Sequence, residues 1–201
     1  MRIAVLGTGH VGQALGRTWT AKGHNVVLGS RRPAQVDCSF GQADSLAGAA
    51  ARSEVVVLAV PFAAVPDTVA AAGDLEGKVV VDATNPVGVA IPAPHHSGAE
   101  LVASLVPTAR VVKSFNTMGW ETMANPLLEG RRALNLMCGD DAGAKASVLT
   151  LSEDLGFDTV DAGDLSAAHL LEAAAQLWIH LAFRAGLGRD VAFALLRRAA
   201  G

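Results

Sequence analysis

The sequence predicts an α/β protein with a doubly wound, mainly parallel sheet, and three patterns in the 201-residue chain carry that prediction. Short apolar runs alternate with Ala-rich segments of helical length, as expected for parallel strands covered by helices on both faces. The run from Val55 to Val60 is continuously apolar, which is typical of a strand buried on both sides. A glycine-rich turn from Gly7 to Gly12 separates the first strand from the first helix, which indicates a fold of the Rossmann type.

The first strand, Ile3–Leu6, leads into this Gly-Thr-Gly-His-Val-Gly turn, and a helix is predicted to begin near His10. Gly7 permits the tight turn, Gly9 lets backbone approach a pyrophosphate, and Gly12 lets the helix pack closely on the strand. The free N–H groups at the helix N-terminus suit the same anion. We predict dinucleotide binding at six positions of this turn: Gly7, Thr8, Gly9, His10, Val11 and Gly12. The alternative is a glycine turn that binds no ligand.

The second strand, Asn25–Leu28, is followed by Ser30, Arg31 and Arg32, at the place where the adenosine ribose lies in this fold. A site for a ribose 2′-hydroxyl usually carries Asp or Glu, and no acid occurs between residues 25 and 35. A hydroxyl and two guanidinium groups suit a 2′-phosphate instead. The sequence therefore favours NADP(H) over NAD(H), with Arg31 as the main contact. The alternative is an ordinary solvated basic loop.

Two later strands, Glu54–Val60 and Lys78–Asp82, end in turns that contain proline. Ligands of open α/β sheets bind at the carboxyl ends of the strands, so both turns are predicted to lie along the nicotinamide half of the cofactor. The alternative is that both are only turns. The predicted contacts are Ala59, Val60, Pro61, Thr84, Asn85 and Pro86. After the strand Ala109–Ser114, the segment to Met118 offers an amide, hydroxyls and an aromatic ring that suit a planar ligand.

The remaining elements follow from the same patterns. The other predicted strands are Ala133–Cys138 and Asp158–Val160, and the other predicted helices are Phe62–Ala72, Gly98–Leu105 and Ala142–Leu155. The pattern from Leu165 to Arg198 is almost entirely helical, with an interruption at Gly186-Leu187-Gly188. We predict a dinucleotide-binding domain at 1–163 and a small C-terminal helical segment at 164–201, which packs against the sheet or a second subunit.

The composition argues against several other classes of protein. A net charge of −3 with 17% charged residues provides no basic surface for nucleic acid. No apolar run approaches the ~20 residues of a membrane span, and the N-terminus does not resemble a signal peptide. Cys38 and Cys138 lie in unrelated contexts, as is usual for thiols in a reducing cytoplasm. No paired metal-ligand spacing occurs, and His95-His96 is interpreted as a surface pair. We predict a cytoplasmic protein without a metal.

Four segments together resemble the NADP reductases that depend on the deazaflavin coenzyme F420, and their uncharacterised bacterial relatives. The segments are GTGHVG from Gly7, GSRRP from Gly29, VVKSFNTMGWETMANP from Val111 and VDAGDLSAAHLLEAAAQLWIHLA from Val160. The resemblance spans nearly the whole chain. It implies NADP(H) as cofactor, coenzyme F420 or a flavin as second ligand, and direct hydride transfer between them. It also implies a homodimer built by the C-terminal helices.

Carried onto matching positions, the resemblance assigns the pyrophosphate to Thr8, Gly9, His10 and Val11, and the 2′-phosphate to Ser30 and Arg31. Val60 and Asn85 would border the ribose and the nicotinamide. The implied second-ligand pocket consists of Asn116, Thr117, Met118 and Trp120. The chain departs from the reductases by lacking one glycine of the first loop, by Gln35 in place of a basic residue, and by Asn116 in place of His. The last difference leaves the second ligand open.

Residue types that are missing also constrain the chemistry. The chain has no tyrosine, which excludes the Tyr-x-x-x-Lys catalysis of short-chain dehydrogenases. None of Lys22, Lys78, Lys113 and Lys145 lies in a long helical second domain of the kind that hydroxyacid dehydrogenases use. Hydride exchange between two cofactors needs no protein proton donor, so we predict an NADP-dependent oxidoreductase of that kind. Two alternatives stay open. One is an NADPH-dependent reductase of a small organic compound, with Asn116, Thr117 or His95 as polar helper, and the other is a dimeric NADPH sensor without turnover.

Overall fold

The computed structural model describes residues 1–198 and confirms the α/β fold. The strands are β1 Arg2–Leu6, β2 Asn25–Gly29, β3 Gln42–Asp44, β4 Val55–Leu58, β5 Val79–Asp82, β6 Arg110–Ser114, β7 Leu127–Leu128, β8 Arg131–Arg132, β9 Leu134–Gly139 and β10 Asp158–Asp161. The helices are α1 His10–Ala21, α2 Leu46–Ala51, α3 Val65–Ala72, α4 Gly98–Leu105, α5 Trp120–Ala124, α6 Ala142–Leu155 and α7 Ala168–Ile179. Residues 199–201 of the predicted C-terminal segment lie outside the described part.

Eight strands form one sheet in the order β10-β9-β6-β5-β4-β1-β2-β3. The six strands from β6 to β3 in this order are parallel, which is the doubly wound arrangement of a dinucleotide-binding fold. β9 joins β6 in antiparallel register, with Gly139 opposite Val112, and β10 then runs parallel to β9. The chain order reverses between β1 and β4, and this reversal creates a crevice at the carboxyl ends of these two strands.

Alternate residues of each strand point into two separate cores. Ile3 and Val5 of β1 face α1 and α6, whereas Ala4 and Leu6 face α2, α3, α4 and α7. Trp19 illustrates how the first core is closed, because its fully buried indole donates from Nε1 to the Leu151 carbonyl of α6 at 2.9 Å. The alternation explains why the sequence reads as continuously apolar at β4 and β5, which are buried on both faces.

Several predicted boundaries differ from those observed. The strand predicted at Glu54–Val60 spans only Val55–Leu58, so the next three residues form a connection to a 3₁₀ turn at Phe62–Ala64. This shorter strand places residues 59–61 beyond the carboxyl end of β4, where all three line the crevice. The sequence prediction missed β3 and α2 because the segment before them is polar and glycine-containing, without a clear apolar period.

The prediction of helix up to Arg198 is wrong beyond Arg184. α7 continues into a π-helical turn at His180–Arg184, and residues 189–198 then run without helix. Gly186 and Gly188 both have φ of +77°, a backbone conformation that ends a helix and that glycine adopts easily. The tail folds back instead, with its Val191 carbonyl accepting from Trp178 Nε1 at 2.7 Å. The sequence predicted that the C-terminal segment packs against the sheet or a second subunit. The start of this segment does pack against the sheet, because Leu165 and Leu171 are buried in the second core.

None of the helices between residues 1 and 198 combines the length and the apolarity that crossing a bilayer demands.

Candidate functional site

A cavity of about 900 Å³ occupies the crevice at the carboxyl ends of β1, β2 and β4. Nine of the predicted cofactor-binding residues line it: Gly7, Thr8, Gly9, Ser30, Arg31, Arg32, Ala59, Val60 and Pro61. Sequences far apart in the chain therefore meet in one place, as the strand-end rule of open α/β sheets requires.

The glycine turn at the base of this cavity has a separate physical requirement at each glycine. Gly7 has φ of +128°, and a Cβ there would collide with the Ala59 carbonyl. A Cβ at Gly12 would collide with the carbonyl oxygen of Gly7, so these two glycines allow the close packing of β1, α1 and the loop after β4. Gly9 is different, because a Cβ there would meet no atom of residues 1–198 within 4 Å. The space beside Gly9 is therefore available to a ligand.

The N-terminus of α1 is open to an anion. Gly9 is the N-cap residue, and within the described residues no side chain caps this helix and no acid lies in its first turn. The first N–H groups of an α-helix have no partner inside the helix and carry the positive end of its dipole. They are consequently free to bind a pyrophosphate at the edge of the cavity, as helix N-termini do in nucleotide-binding proteins.

Two cationic side chains stand at the end of β2. Arg31 and Arg32 are exposed, and neither forms a side-chain hydrogen bond or an ion pair with any residue in the described part of the chain. Ser30 Oγ accepts from the Arg32 amide at 3.0 Å, which fixes the turn. The nearest strand-end acid, Asp44 on β3, is paired with Arg52. The end of β2 thus offers positive charge, and the carboxylate at the end of the neighbouring strand β3 is already paired.

The far side of the cavity contains residues that the sequence analysis missed. They include Val36 and four positions in or just before α3: Ala64, Asp67, Thr68 and Ala71. Asp37 and Gln35 also line it, so two carboxylates, those of Asp37 and Asp67, share the cavity with the two arginines. The α3 residues could have been predicted to line the cavity, because the helix after β4 begins at the same sheet edge as the glycine turn.

The predicted nicotinamide-side residues Thr84, Asn85 and Pro86 do not line this cavity. Thr84 is buried and turned inward, where its Oγ1 and its amide donate to Asp82 Oδ1 at 2.6 and 2.9 Å. Asn85 is half-buried and donates from Nδ2 to the Asn116 carbonyl at 2.8 Å. The two turns after β5 and β6 are therefore bonded to each other beside the crevice.

The predicted second-ligand residues lie mostly inside the protein. Asn116, Thr117 and Met118 are all buried, and the loop begins with Phe115 at φ of +57°. Of the four predicted positions, only Trp120 keeps substantial exposure. Its ring stacks on that of His10, the first residue of α1, with centroids 5.1 Å apart and 21° between the planes. Three of the four predicted second-ligand side chains are thus buried, and the second-ligand pocket stays a prediction.

Asn116 has an unusual hydrogen-bonding state. Its Nδ2 donates to Asn85 Oδ1 at 3.0 Å and to the Leu171 carbonyl at 3.2 Å, whereas its buried Oδ1 has no partner among the described residues. Exchanging the amide atoms would place its oxygen against both of these acceptors, so the orientation is fixed. An unpartnered buried acceptor costs about 1–3 kcal/mol.

The described residues contain no group of three or more His, Cys, Asp or Glu side chains that could hold a metal ion. Cys38 is half-buried and Cys138 is fully buried, and both are free thiols. His95 and His96 lie in the loop before α4, away from the cavity lining, and carry no ligand-like grouping.

The fold and this crevice define the class of protein: a Rossmann-type fold of the kind that binds dinucleotides, with a glycine turn at the start of its first helix. Residues 2–86 match the family described as NADP oxidoreductase, coenzyme F420-dependent. The crystal structure of a proposed F420-dependent NADP-reductase from Arthrobacter sp. FB24 superposes with a TM-score of 0.87. It is 33% identical, and the match covers 98% of this chain and 100% of that one. The chain therefore belongs to the family of F420-dependent NADP reductase-like proteins.

Two sequence relatives extend the comparison. The F420-dependent NADP reductase of Methanothermobacter thermautotrophicus is 29% identical over 213 residues, covering 92% of this chain and 90% of that protein. The metalloreductase STEAP3 of Rattus norvegicus is 34% identical over 176 residues, which cover 86% of this chain and 36% of STEAP3. The chain thus spans only about a third of the length of the STEAP relatives.

Proposed function

We propose that the protein transfers a hydride between NADP(H) and a second planar cofactor, the deazaflavin coenzyme F420 or a flavin. The observation that carries the proposal is a cavity that joins the N-terminus of α1 to Arg31 and Arg32, whose guanidinium groups have no partner among residues 1–198. The residues fit NADP(H), because the space beside Gly9 would hold a pyrophosphate and the arginines would donate to the additional 2′-phosphate. When bound, the nicotinamide supplies the hydride chemistry.

The individual binding roles are also proposals. The backbone of residues 8–11 would hold the pyrophosphate, Ser30, Arg31 and Arg32 the 2′-phosphate, and residues 59–61 the nicotinamide ribose. Thr84, Asn85 and Pro86 would border the nicotinamide through the Asn85 amide and the backbone, since the Thr84 side chain is turned inward. Val36 and the α3 residues would contact the adenine. The second ligand would approach the half-buried Trp120.

The polar groups of the turns after β5 and β6 favour cofactor-to-cofactor transfer over reduction of a carbonyl compound. The side-chain amides of Asn85 and Asn116 in these turns are bonded to each other, and the Thr84 hydroxyl donates to the buried Asp82. Direct hydride transfer depends mainly on positioning, which such groups supply.

Mixing the protein with NADPH and oxidised coenzyme F420 tests this proposal. We expect loss of the long-wavelength absorbance of the deazaflavin at a rate proportional to enzyme concentration. FMN, FAD and a panel of small carbonyl and imine compounds are the parallel substrates. Turnover of a small compound alone would replace the proposal by the reductase alternative. Tight NADPH binding without turnover of any acceptor would favour the sensor.

We further propose a homodimer in the cytoplasm, with a C-terminal segment at 164–201 that mediates assembly. Five large apolar side chains of the segment are more than half exposed: Leu170, Leu177, Phe183, Leu187 and Leu196. Leu170 and Leu177 are seven residues apart on α7 and therefore share one face. Light scattering should give a dimer for the wild-type protein and a monomer for Leu177→Glu. A monomeric wild-type protein would refute this assembly.

A further inference from the structure

A buried ionic cluster lies beneath the strand ends on the nicotinamide side of the sheet. Lys113 of β6 and Asp82 of β5 are both fully buried, and Lys113 Nζ lies 2.8 Å from Asp82 Oδ2. The same ammonium donates to the Thr84 carbonyl at 2.5 Å and lies 3.3 Å from Glu172 Oε1 of α7. Its three N–H donors thus have three acceptors, one of them on the backbone directly before Asn85.

Glu172 connects this cluster to a helix N-terminus. Its Oε2 accepts from the Gly98 amide at 3.0 Å, and its Oε1 accepts from the Ala99 amide at 3.2 Å. The cluster holds one cation and two carboxylates, and the first turn of α4 supplies the additional positive partial charge. Every charged atom is therefore compensated although the group is cut off from water, which makes the arrangement sensitive to the loss of any member.

The neighbouring residue of α7 makes a second connection to the same region. The Leu171 carbonyl accepts from Asn116 Nδ2, and the same Nδ2 donates to Asn85 Oδ1. One turn of α7 therefore fixes the loop after β5 through Glu172 and Lys113, and the loop after β6 through Leu171 and Asn116. Asn85 is the point where these two connections meet.

We propose that Glu172, Lys113 and Asn116 are positioning residues, which hold the Asn85 amide in place against the nicotinamide end of the bound cofactor. The proposal rests on the proposed NADP(H) binding and deepens it by assigning the alignment of the nicotinamide to α7. A cluster that served stability alone could be replaced by apolar packing. Here the third acceptor of Lys113 is the Thr84 carbonyl, so the cluster bonds directly to the loop that contains Asn85.

Glu172→Gln is the variant that tests the proposal, because it keeps the shape of the side chain and removes one acceptor and the charge. Two ligands are titrated: NADPH, and 2′,5′-ADP, which carries the adenosine half and the phosphate but no nicotinamide. The fluorescence of the reduced nicotinamide reports its environment, and thermal melting reports stability. Glu76→Gln is the matched control, since it removes the same charge at an exposed site remote from the cluster.

We expect Glu172→Gln to lose about tenfold in NADPH affinity and most of the nicotinamide fluorescence change, with 2′,5′-ADP affinity within about twofold of wild type. Glu76→Gln should match the wild type in every measurement. Unchanged NADPH affinity and fluorescence in Glu172→Gln would overturn the inference, as would equal losses for both ligands. A wild-type protein that binds neither ligand would instead refute the proposed function itself.

If Glu172→Gln does not fold, Asn116→Ala replaces it in the same titrations. This variant removes the hydrogen bonds from Asn116 Nδ2 to Leu171 and Asn85 without altering a charge. Selective loss of the nicotinamide signal is again expected. Retention of the full signal in Asn116→Ala would overturn the inference.

Discussion

The indole of Trp120 stacks on the imidazole of His10, with ring centroids 5.1 Å apart. These are the first residues of α5 and of α1, so the stack joins the end of the proposed second-ligand loop to the helix whose N-terminus is proposed to bind the pyrophosphate. Arg189 of the C-terminal tail bonds the neighbouring Glu121, from Nη2 to Oε2 at 3.0 Å, and thereby holds the start of α5 against the tail. Trp120 is half-buried and His10 is exposed, so the stacked pair is accessible from this side of the crevice.

The first prediction concerns this ring. Trp120→Ala should raise the KM for coenzyme F420 by about three- to tenfold, because an aromatic pair contributes about 0.5–1.5 kcal/mol. The NADPH dissociation constant should stay within about twofold, since Trp120 does not line the cavity. Steady-state kinetics and NADPH titration measure the two effects. Trp120→Phe, which keeps a ring for stacking, should lie close to the wild type. A comparable loss of NADPH affinity in Trp120→Ala would contradict the prediction, because it would assign Trp120 to the NADP(H) site.

A second prediction tests the choice of dinucleotide. Arg31→Ala should weaken NADPH binding by about 10- to 100-fold, the value of a charge-assisted hydrogen bond, while NADH binding changes little. Isothermal titration with both nucleotides measures the ratio. Arg131→Ala removes an exposed arginine on β8, outside the cavity, and should leave both affinities unchanged. Equal losses for NADPH and NADH would refute the 2′-phosphate assignment.

The cavity could be predicted because its parts are local. A strand, a glycine turn and a helix N-terminus are consecutive in sequence, and Ser30 to Arg32 follow directly on the next strand. Each short segment has its own steric or electrostatic reason to bind part of a dinucleotide. The segments are brought together by one rule, that ligands bind at the carboxyl ends of the strands.

The inward orientation of Asn116 to Met118 could not be predicted in the same way. A polar loop after a strand is expected to face solvent, and here α7 covers it from 55 residues further along the chain, as the bond from Asn116 to Leu171 shows. Lys113 and Glu172 were missed for the same reason. A lysine within the apolar run of β6 was a usable signal, because a buried ammonium requires a buried partner.

A third prediction follows from the pair of Glu121 and Arg189. Burial alone would raise the pKa of Glu121, but hydrogen bonds from Arg189 and the nearby positive charges outweigh it and hold the pKa below the usual 4.5. The carboxylate therefore stabilises the fold above the unfolded-state value, and the stabilisation is lost as pH falls through the lower folded-state pKa. Glu121→Gln should destabilise the protein by about 1 kcal/mol near neutral pH, a modest value because Arg189 is 41% exposed.

Urea denaturation at steps from about pH 7 to about pH 3 measures this effect, and the difference between Glu121→Gln and wild type should shrink below pH 4.5. Glu54→Gln removes a carboxylate from a more exposed pair with Arg2 and should change little at any of these pH values. A penalty for Glu121→Gln that persists undiminished at low pH would show that charge is not its cause.

The fourth prediction is that two glycines of the first turn have different roles, Gly9 in ligand binding and Gly12 in stability. Gly9→Ala should leave the free energy of unfolding within about 1 kcal/mol, because its φ of −76° suits alanine and its Cβ would meet no described atom within 4 Å. The same methyl group would occupy the space proposed for the pyrophosphate, so NADPH affinity should fall at least about tenfold. Gly12→Ala should instead destabilise the protein by about 1–3 kcal/mol, since its Cβ collides with the Gly7 carbonyl.

Urea denaturation of the ligand-free variants and NADPH titration distinguish the two glycines. The expected pattern is loss of binding with stability retained for Gly9→Ala, and loss of stability for Gly12→Ala. Wild-type affinity in Gly9→Ala would show that no pyrophosphate passes beside this residue, and the binding site would then have to lie away from the N-terminus of α1.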